Sequence, residues 1–369
     1  MKKFVSLLLV FFLMLSVSGG KSQSNVVIIR VALLDSVIPS FTSPKEMMEI
    51  LDEYSWKMGE KEYKFEVKWI TDEEICAGAL KKFDVIVIPG IGKEFRRIFN
   101  NNLSIWKNEI RNFVSNGHGY FGTCGGANIA SCGLIDAKKR GWRHMTAWEY
   151  FMNKSSLHLL PFKSYQDMAD PFASSIIWRN PCRVGQSAYI WYNLSINGTG
   201  VCQKCKLNTK HDIFCECKDE RIIRWVGGPV LIPFGNLTVI AWYPSRNLSS
   251  DKNTTIHAWN FKFNIVDAWD MCNDIIKTHL AGEPAAVAGK FGNGRVVVFG
   301  NHPEHPVWKG EKIIERDTNS NHLFVKGLFH WRDRKFLPQD YNWWIVRRSV
   351  AWAYGLDTSE LPPAGYQNL

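Results

Sequence analysis

Two apolar runs constrain this chain more than any other feature. Asn25 to Asp35 (NVVIIRVALLD) and Asp84 to Ile88 (DVIVI) are near-continuous rather than alternating, the mark of strands buried on both faces. Such strands need helices above and below them, and the neighbouring segments supply candidates. Pro44 to Lys57 carries Met47, Met48, Ile50, Leu51 and Tyr54 at helical spacing. Lys64 to Ile70 reads as a strand, and Asp72 to Lys82 as a short helix capped by Thr71 or Asp72. Ser104 to Ser115 is a helix with Ile105, Ile110, Phe113 and Val114 apolar, ended by Asn116-Gly117. Gly119 to Thr123 is a short strand running into Cys124. Strand and helix alternating in this way predict an α/β fold with a mostly parallel sheet between helical layers.

From Leu134 to Glu283 the alternation gives way to Trp, Asn, Cys and short β-like runs such as Leu237 to Tyr243. That composition predicts a β-rich, cysteine-containing insertion that elaborates the sheet or forms a small subdomain. Regularity returns with Ala285 to Lys290, a turn at Phe291-Gly292-Asn293-Gly294, the strand Arg295 to Phe299, and a closing helix Tyr341 to Tyr354 ended by Gly355. The expected organisation is an export segment at 1–20, a first part of the α/β domain at 25–133, the insertion at 134–283, a second part at 284–356 and a tail at 357–369.

The export segment has the composition of a signal peptide. Met1-Lys2-Lys3 is basic, Phe4 to Val17 is almost unbroken apolar sequence, and Ser16, Ser18, Gly19 and Gly20 are small. The apolar run falls short of the roughly 20 residues a spanning helix needs, and an uncleaved anchor is the alternative. The expected location is secreted or extracytoplasmic. Nine cysteines agree with that, as do seven Asn-x-Ser/Thr sequons at Asn102, Asn153, Asn193, Asn197, Asn236, Asn247 and Asn253.

The formal charge of +10 is dispersed, with no basic run longer than Lys138-Lys139-Arg140. Nucleic acid is therefore not an expected partner, whereas an anionic cell-envelope polymer is compatible with the excess. Among 16 tryptophans, Trp191, Trp225, Trp242 and Trp259 fall in the insertion, where they either pack the core or line a sugar or peptide cleft.

Cys202-x-x-Cys205 and Cys215-x-Cys217 are mirrored about Lys210-His211. In an oxidising compartment this suggests two nested disulfides, Cys202 with Cys217 and Cys205 with Cys215. The rival is a zinc site made of the same four thiolates, with His211 able to replace one. Apart from that zinc, no cofactor is expected. Cys76, Cys124, Cys132, Cys182 and Cys272 remain, an odd set that leaves at least one thiol free.

Cys124 is the natural choice for the free one. Gly122-Thr123-Cys124-Gly125-Gly126 has the G-x-C-x-G form, directly after an apolar strand and before the small residues Ala127 to Ala130. A nucleophile elbow needs this composition, because flanking glycines give the backbone room for a strained turn. A thiol at a helix start also gains from the partial positive charge there. The bland alternative is an inert buried cysteine. Asn301-His302-Pro303-Glu304 follows the strand Arg295 to Phe299, and His302 there can serve as base with Glu304 orienting it. A surface turn would explain the same residues, and His305 is the nearest competing imidazole. Ile88-Pro89-Gly90-Ile91-Gly92 ends a central strand; backbone N–H groups at Gly90 and Ile91, with that of Gly125, are oxyanion-hole candidates, or the segment is an ordinary strand-ending turn.

The Pro-Gly loop, the phrase Gly119–Ala127 (GYFGTCGGA) and the late Glu283–Glu304 (EPAAVAGKFGNGRVVVFGNHPE) together resemble the class I glutamine amidotransferase superfamily, and within it the domain at the N-terminus of some biotin-protein ligases. The resemblance covers roughly Val26 to Ala130 and Glu283 to Gly355, and leaves the insertion uncovered. It implies a flavodoxin-like three-layer α/β/α sandwich, with Cys124 as nucleophile, His302 as base and Glu304 as orienting carboxylate. No basic Gly-Arg-rich biotin-adenylate loop is present, so ligation is not implied. For an exported member the implied activity is hydrolysis of an amide or γ-glutamyl bond in a small molecule or peptide. The alternative is a non-catalytic envelope-binding module on the same fold.

Overall fold

The computed structural model describes residues 25–35, 43–90, 102–136, 154–165, 201–226, 228–244, 255–262, 270–277, 280–309, 312–313, 317–322, 325–328, 331–332 and 335–365. The chain begins with β1 (Asn25–Leu34), α1 (Ser43–Leu51), β2 (Ser55–Met58), β3 (Lys61–Ile70), α2 (Asp72–Cys76) and β4 (Val85–Ile88). Next come α3 (Leu103–Ser115), β5 (Gly119–Thr123), α4 (Gly125–Ala130) and β6 (Phe162–Tyr165). They are followed by β7 (Val201–Leu207), β8 (Glu220–Trp225), β9 (Val230–Pro233) and β10 (Thr238–Trp242). A hairpin of β11 (Thr255–Lys262) and β12 (Asp270–Lys277) precedes β13 (Pro284–Phe291), β14 (Gly294–Phe299) and the helix α5 (Trp343–Tyr354).

One 10-stranded sheet organises the fold, in the order β2-β3-β1-β4-β5-β14-β13-β10-β7-β8. Its centre, β3-β1-β4-β5-β14, is parallel throughout. Side chains alternate across these strands, and each face has its own core. Ile29, Val31 and Leu33, Val85 and Val87, Phe121, and Val297 and Phe299 pack with α1 and α5. Ala32 and Leu34, Ile86 and Ile88, Tyr120, and Val296 and Val298 pack with α3 and α4 on the other side. This is the expected three-layer α/β arrangement, and it explains why the strand sequences are apolar at nearly every position.

The helical reading of Pro44 to Lys57 overruns. α1 ends at Leu51, and Ser55–Met58 turns back as a strand antiparallel to β3, with Trp56 stacked on Tyr63 at 5.2 Å. Gly59, at φ 61°, makes the hairpin turn that helical spacing does not reveal. α2 stops at Cys76, where Gly78 in the left-handed region breaks the predicted Asp72 to Lys82 helix. Its N-cap is Thr71, in a reciprocal capping box with Glu74.

Beyond β14 the main sheet continues through β13 and into strands of the segment between the two halves. β13, β10, β7 and β8 add to β14 as successive antiparallel strands. β6 and β9 pair separately.

The structure does not contain the nested disulfides that the mirrored cysteine spacing suggests. β7 pairs with β8 in a register that sets Cys202 opposite Arg224 and Cys205 opposite Arg221. Cys215 and Cys217 lie instead in the tight turns between these strands, where the Phe214 and Cys215 N–H groups both donate to the His211 carbonyl. None of Cys202, Cys205, Cys215 and Cys217 is joined in a disulfide in this structure. Cys202 and Cys205, an odd step apart on one strand, point to opposite faces. Cys205 is buried against Asn301, Cys202 accepts from the Trp308 N–H, and Cys215 accepts from Arg348. Nor, among the described residues, are three of these four sulfurs gathered as a zinc ligand set. Trp225 is fully buried, with its indole N–H on the Gly228 carbonyl, so it packs the core instead of lining a cleft. The export segment, Cys182, Trp191 and the sequons at Asn153, Asn193, Asn197, Asn247 and Asn253 lie outside the described residues, whereas Cys272 falls on β12 opposite Asn260 of β11. Among the described residues no helix is long and apolar enough to cross a membrane.

Candidate active site

Cys124 stands between β5 and α4 with φ 50° and ψ −104°. A non-glycine residue held there stores roughly 1–3 kcal/mol of backbone strain, so its surroundings must fix it. They do so from both sides: the Cys124 N–H donates to the Phe299 carbonyl at 2.8 Å, and its own carbonyl accepts from Asn128 at 3.1 Å. The Tyr120 hydroxyl donates to the Gly126 carbonyl at 2.7 Å. Gly126 lies so close to β4 that a Cβ there would sit 1.8 Å from the Ile88 oxygen.

His302 follows β14, and its N–H donates to the Arg224 carbonyl at 2.8 Å in an isolated bridge to β8. The elaborated part of the sheet therefore helps to place the imidazole. His302 Nδ1 is 2.7 Å from Glu304 Oε1. With Nδ1–H donating a hydrogen bond to the carboxylate, the ring is held in one orientation and Nε2 is left for the thiol side. The same oxygen, Oε1, also accepts from Ser43 at 2.6 Å and from Thr123 at 3.0 Å. Glu304 is completely buried and His302 nearly so, while Cys124 is half-buried.

Gly90 marks the gap between thiol and imidazole. A Cβ at this position would lie 2.8 Å from His302 Cε1 and 3.6 Å from Cys124 Sγ. On another side, a Cβ on Gly228 would lie 3.5 Å from Cys124 Sγ. The Gly125 N–H is among the first in α4 and has no intrahelical acceptor. Ile91, the other oxyanion candidate, lies outside the described residues.

Burial opposes charge on Glu304, but His302, His305 and the hydrogen bonds from His302 and Ser43 outweigh it and hold its pKa down at about 2. Burial likewise opposes a charged His302, yet Glu304 and Cys124 raise it to about 10. His302 therefore stabilises the fold fully below its ordinary value of 6.5 and loses that contribution as pH rises toward about 10. Glu304 stabilises fully above 4.5 and loses its contribution as pH falls toward about 2. Glu304→Gln should thus lose the most stability, relative to wild type, between pH 4.5 and 6.5. Denaturant melts across pH measure this; a deficit that is flat with pH, or greatest in alkali, contradicts the charged pair.

A second buried pair adjoins the first. The His305 ring stacks on His302 with centroids 4.4 Å apart and planes 8° from parallel, and its Nδ1 is hydrogen-bonded to Glu46 on α1. Two imidazolium charges at that spacing would repel by about 4 kcal/mol at an effective dielectric of 20, so the stack favours one charge. Burial, aided by His302 and Arg224, pushes His305 well below its usual range against the pull of Glu304. Burial and the Glu304 charge push Glu46 up to about 8, against Arg224 and His302. His302, Glu304 and His305 also bring one potential ligand atom each within 4.8 Å of one another. The Nδ1 atoms of both histidines already face carboxylates.

The structure thus brings Cys124, His302, Glu304, Gly90 and Gly125 to one end of the parallel strands. The sequence reading missed Ser43, Glu46, Thr123 and Gly228. Thr123 was legible in principle, because in an extended strand it faces opposite to its neighbour and lies next to the nucleophile. Gly228 carried no signal of its own.

No protein-family model and no curated protein matches the sequence. Several solved structures resemble it in fold. A protein described as ThuA-like from Parabacteroides merdae superposes with a TM-score of 0.41 at 10% identity, over 92% of this chain and 95% of that one. A second ThuA-like protein, from Bacteroides uniformis, gives 0.38 at 10% identity, over 77% and 85%. A glutamine amidotransferase gives 0.37 at 14% identity, over 75% and 90%. Values this low carry no argument about chemistry, which rests on the residues themselves.

Proposed function

We propose that the protein is an exported thiol hydrolase that cleaves an amide or γ-glutamyl bond with a Cys124-His302-Glu304 triad. The single observation that carries this reading is the Glu304–His302 hydrogen bond of 2.7 Å beside a cysteine in a strained strand–helix elbow. The resemblance of the Cys124 and His-Pro-Glu segments to the biotin-protein ligase N-terminal domain supports the same roles.

In this reading Cys124 Sγ attacks the carbonyl carbon, and its thiol proton is carried by His302. The tetrahedral oxyanion lies against the backbone N–H groups near Gly90 and Gly125. His302 then protonates the departing amine as the C–N bond breaks and a thioester forms. Water attacks the thioester, His302 takes its proton, and the acid leaves with Cys124 restored. Glu304 stays ionised throughout and keeps the imidazole in register. Export rests on the N-terminal composition and on Asn102 and Asn236, two sequon asparagines that are solvent-exposed. The envelope-binding alternative loses Trp225 from its proposed cleft, because that ring is in the core.

The test is to incubate wild type and Cys124→Ala with a panel of carboxamides and γ-glutamyl amides. Intact mass after acid quench reports the acyl-enzyme, and released amine or ammonia reports turnover. An acyl adduct on Cys124 with amine release, both absent from the variant, is expected. A binding module would retain the ligands with no adduct and no amine.

A further inference from the structure

The Cys124 chemistry uses neither of the side chains that α1 turns toward it. Ser43 and Glu46 are three residues apart, so they share one face of the helix at its first turn. Ser-x-x-Glu is the composition that ordinarily caps a helix. Here the Ser43 hydroxyl donates to Glu304 at 2.6 Å, and Glu46 is bonded to His305, whose ring lies flat on His302. α1 itself is anchored from behind: Met47, Ile50 and Leu51 are fully buried, and Arg347 of α5 donates to the Ile50 carbonyl at 2.9 Å.

We infer that Ser43 and Glu46 are positioning residues of the Cys124 site, Ser43 fixing the Glu304 carboxylate and Glu46 fixing the His302 ring through His305. This rests on the reading of Cys124 as an activated nucleophile.

The physics of the stack assigns the protons. The groups facing Glu46 and His305 are the Glu304 carboxylate, the His302 imidazole and the Arg224 guanidinium. With His302 charged by its partnership with Glu304, His305 stays neutral and Glu46 holds a proton at neutral pH. Glu46 then donates to His305 Nδ1, and the His305 ring hydrogen sits on Nε2. A neutral ring clamped in this way supports His302 on one face without competing for Glu304. An ionised Glu46 would compete for the His302 charge and weaken the pull of Glu304. The pair is thus arranged to order the catalytic imidazole while adding no charge to it.

The experiment follows iodoacetamide alkylation of Cys124 in the full chain from about pH 5 to about pH 10, with wild type, Glu46→Ala and Glu46→Gln in parallel. Wild type is judged first. Fast modification at neutral pH establishes the activated thiol; a slow, ordinary thiol profile sinks the hydrolase reading and this inference with it. Given a fast wild type, Glu46→Ala is expected to slow the neutral-pH reaction roughly 10- to 100-fold and to move its pH midpoint. Glu46→Gln, whose amide donates to His305 as the protonated carboxyl does, is expected to overlay wild type within about twofold. An Ala profile that overlays wild type overturns the proposal, as does a Gln profile as slow as Ala. Should Glu46→Ala fail to fold, ¹⁵N shifts of His305 in wild type decide. An unprotonated Nδ1 with the hydrogen on Nε2 at neutral pH supports the assignment, and an imidazolium overturns it.

Discussion

Gly126→Ala is expected to destabilise the protein by roughly 3–5 kcal/mol, with loss of the reactive site. The added carbon would stand 1.8 Å from the Ile88 oxygen and 2.8 Å from its carbonyl carbon, both backbone atoms at the end of β4. No rotamer change relieves a backbone clash. α4 has to move off the sheet, and because Cys124 is its N-cap, the elbow opens with it. Gly59→Ala is the control. Its Cβ meets nothing within 4 Å, so only the left-handed backbone at φ 61° is penalised, by about 1 kcal/mol. Urea melts of the two variants measure the difference. Equal, small losses would mean that the close approach of Gly126 to Ile88 is not what holds the elbow.

This contrast also shows why parts of the molecule were legible in the sequence. The strands β1, β4, β5 and β14 announce themselves because burial on both faces removes polar residues from nearly every position. The elbow is legible for a related reason. The flanking Gly126 has no room for a side chain, so the local sequence carries the imprint of the contact. His302 and Glu304 could be placed because they follow a readable strand.

The failures have a different origin. Ser43 and Glu46 lie far along the chain from Glu304 and His305, and only the packing of α1 against α5 and β1 brings them together. A helix start written Ser-x-x-Glu has the same appearance whether it caps itself or serves a distant site. The cysteine reading failed because symmetric spacing does not fix strand register. The register of β7 runs instead to β8, placing arginines opposite Cys202 and Cys205. Antiparallel partners are chosen by the faces they bury, and the turn between Leu207 and Glu220 hid that choice. For the same reason, the continuation of the parallel sheet through β13, β10, β7 and β8 was not readable as one sheet.

The largest functional effect is expected at His302. Its ring links Glu304, held ionised near a pKa of about 2, to the thiol, and its own raised pKa of about 10 reflects both neighbours. Removing it leaves Cys124 without an acceptor for its proton, and leaves Glu304 with Ser43 and Thr123 as remaining donors. His302→Ala also unpairs a buried charge, which costs about 3–5 kcal/mol. His302→Gln is therefore the better variant, since its amide can still donate to Glu304 without accepting a proton from sulfur. Turnover of any amide substrate should fall by roughly 10³-fold or more in either variant, as when the base of a nucleophile–base pair is removed.

The most direct measurement of the central claim is the rate of Cys124 alkylation by iodoacetamide as a function of pH, in wild type and His302→Gln, with the site confirmed by peptide mass. The account predicts fast modification at neutral pH in wild type and a fall of about 100-fold in the variant. It also predicts that the variant regains rate only as pH approaches the free-thiol value of about 8.5. Two slow, superimposable profiles that both rise near 8.5 would contradict it. Cys124 would then be an inert thiol in a strained turn, and the fold a scaffold for binding alone.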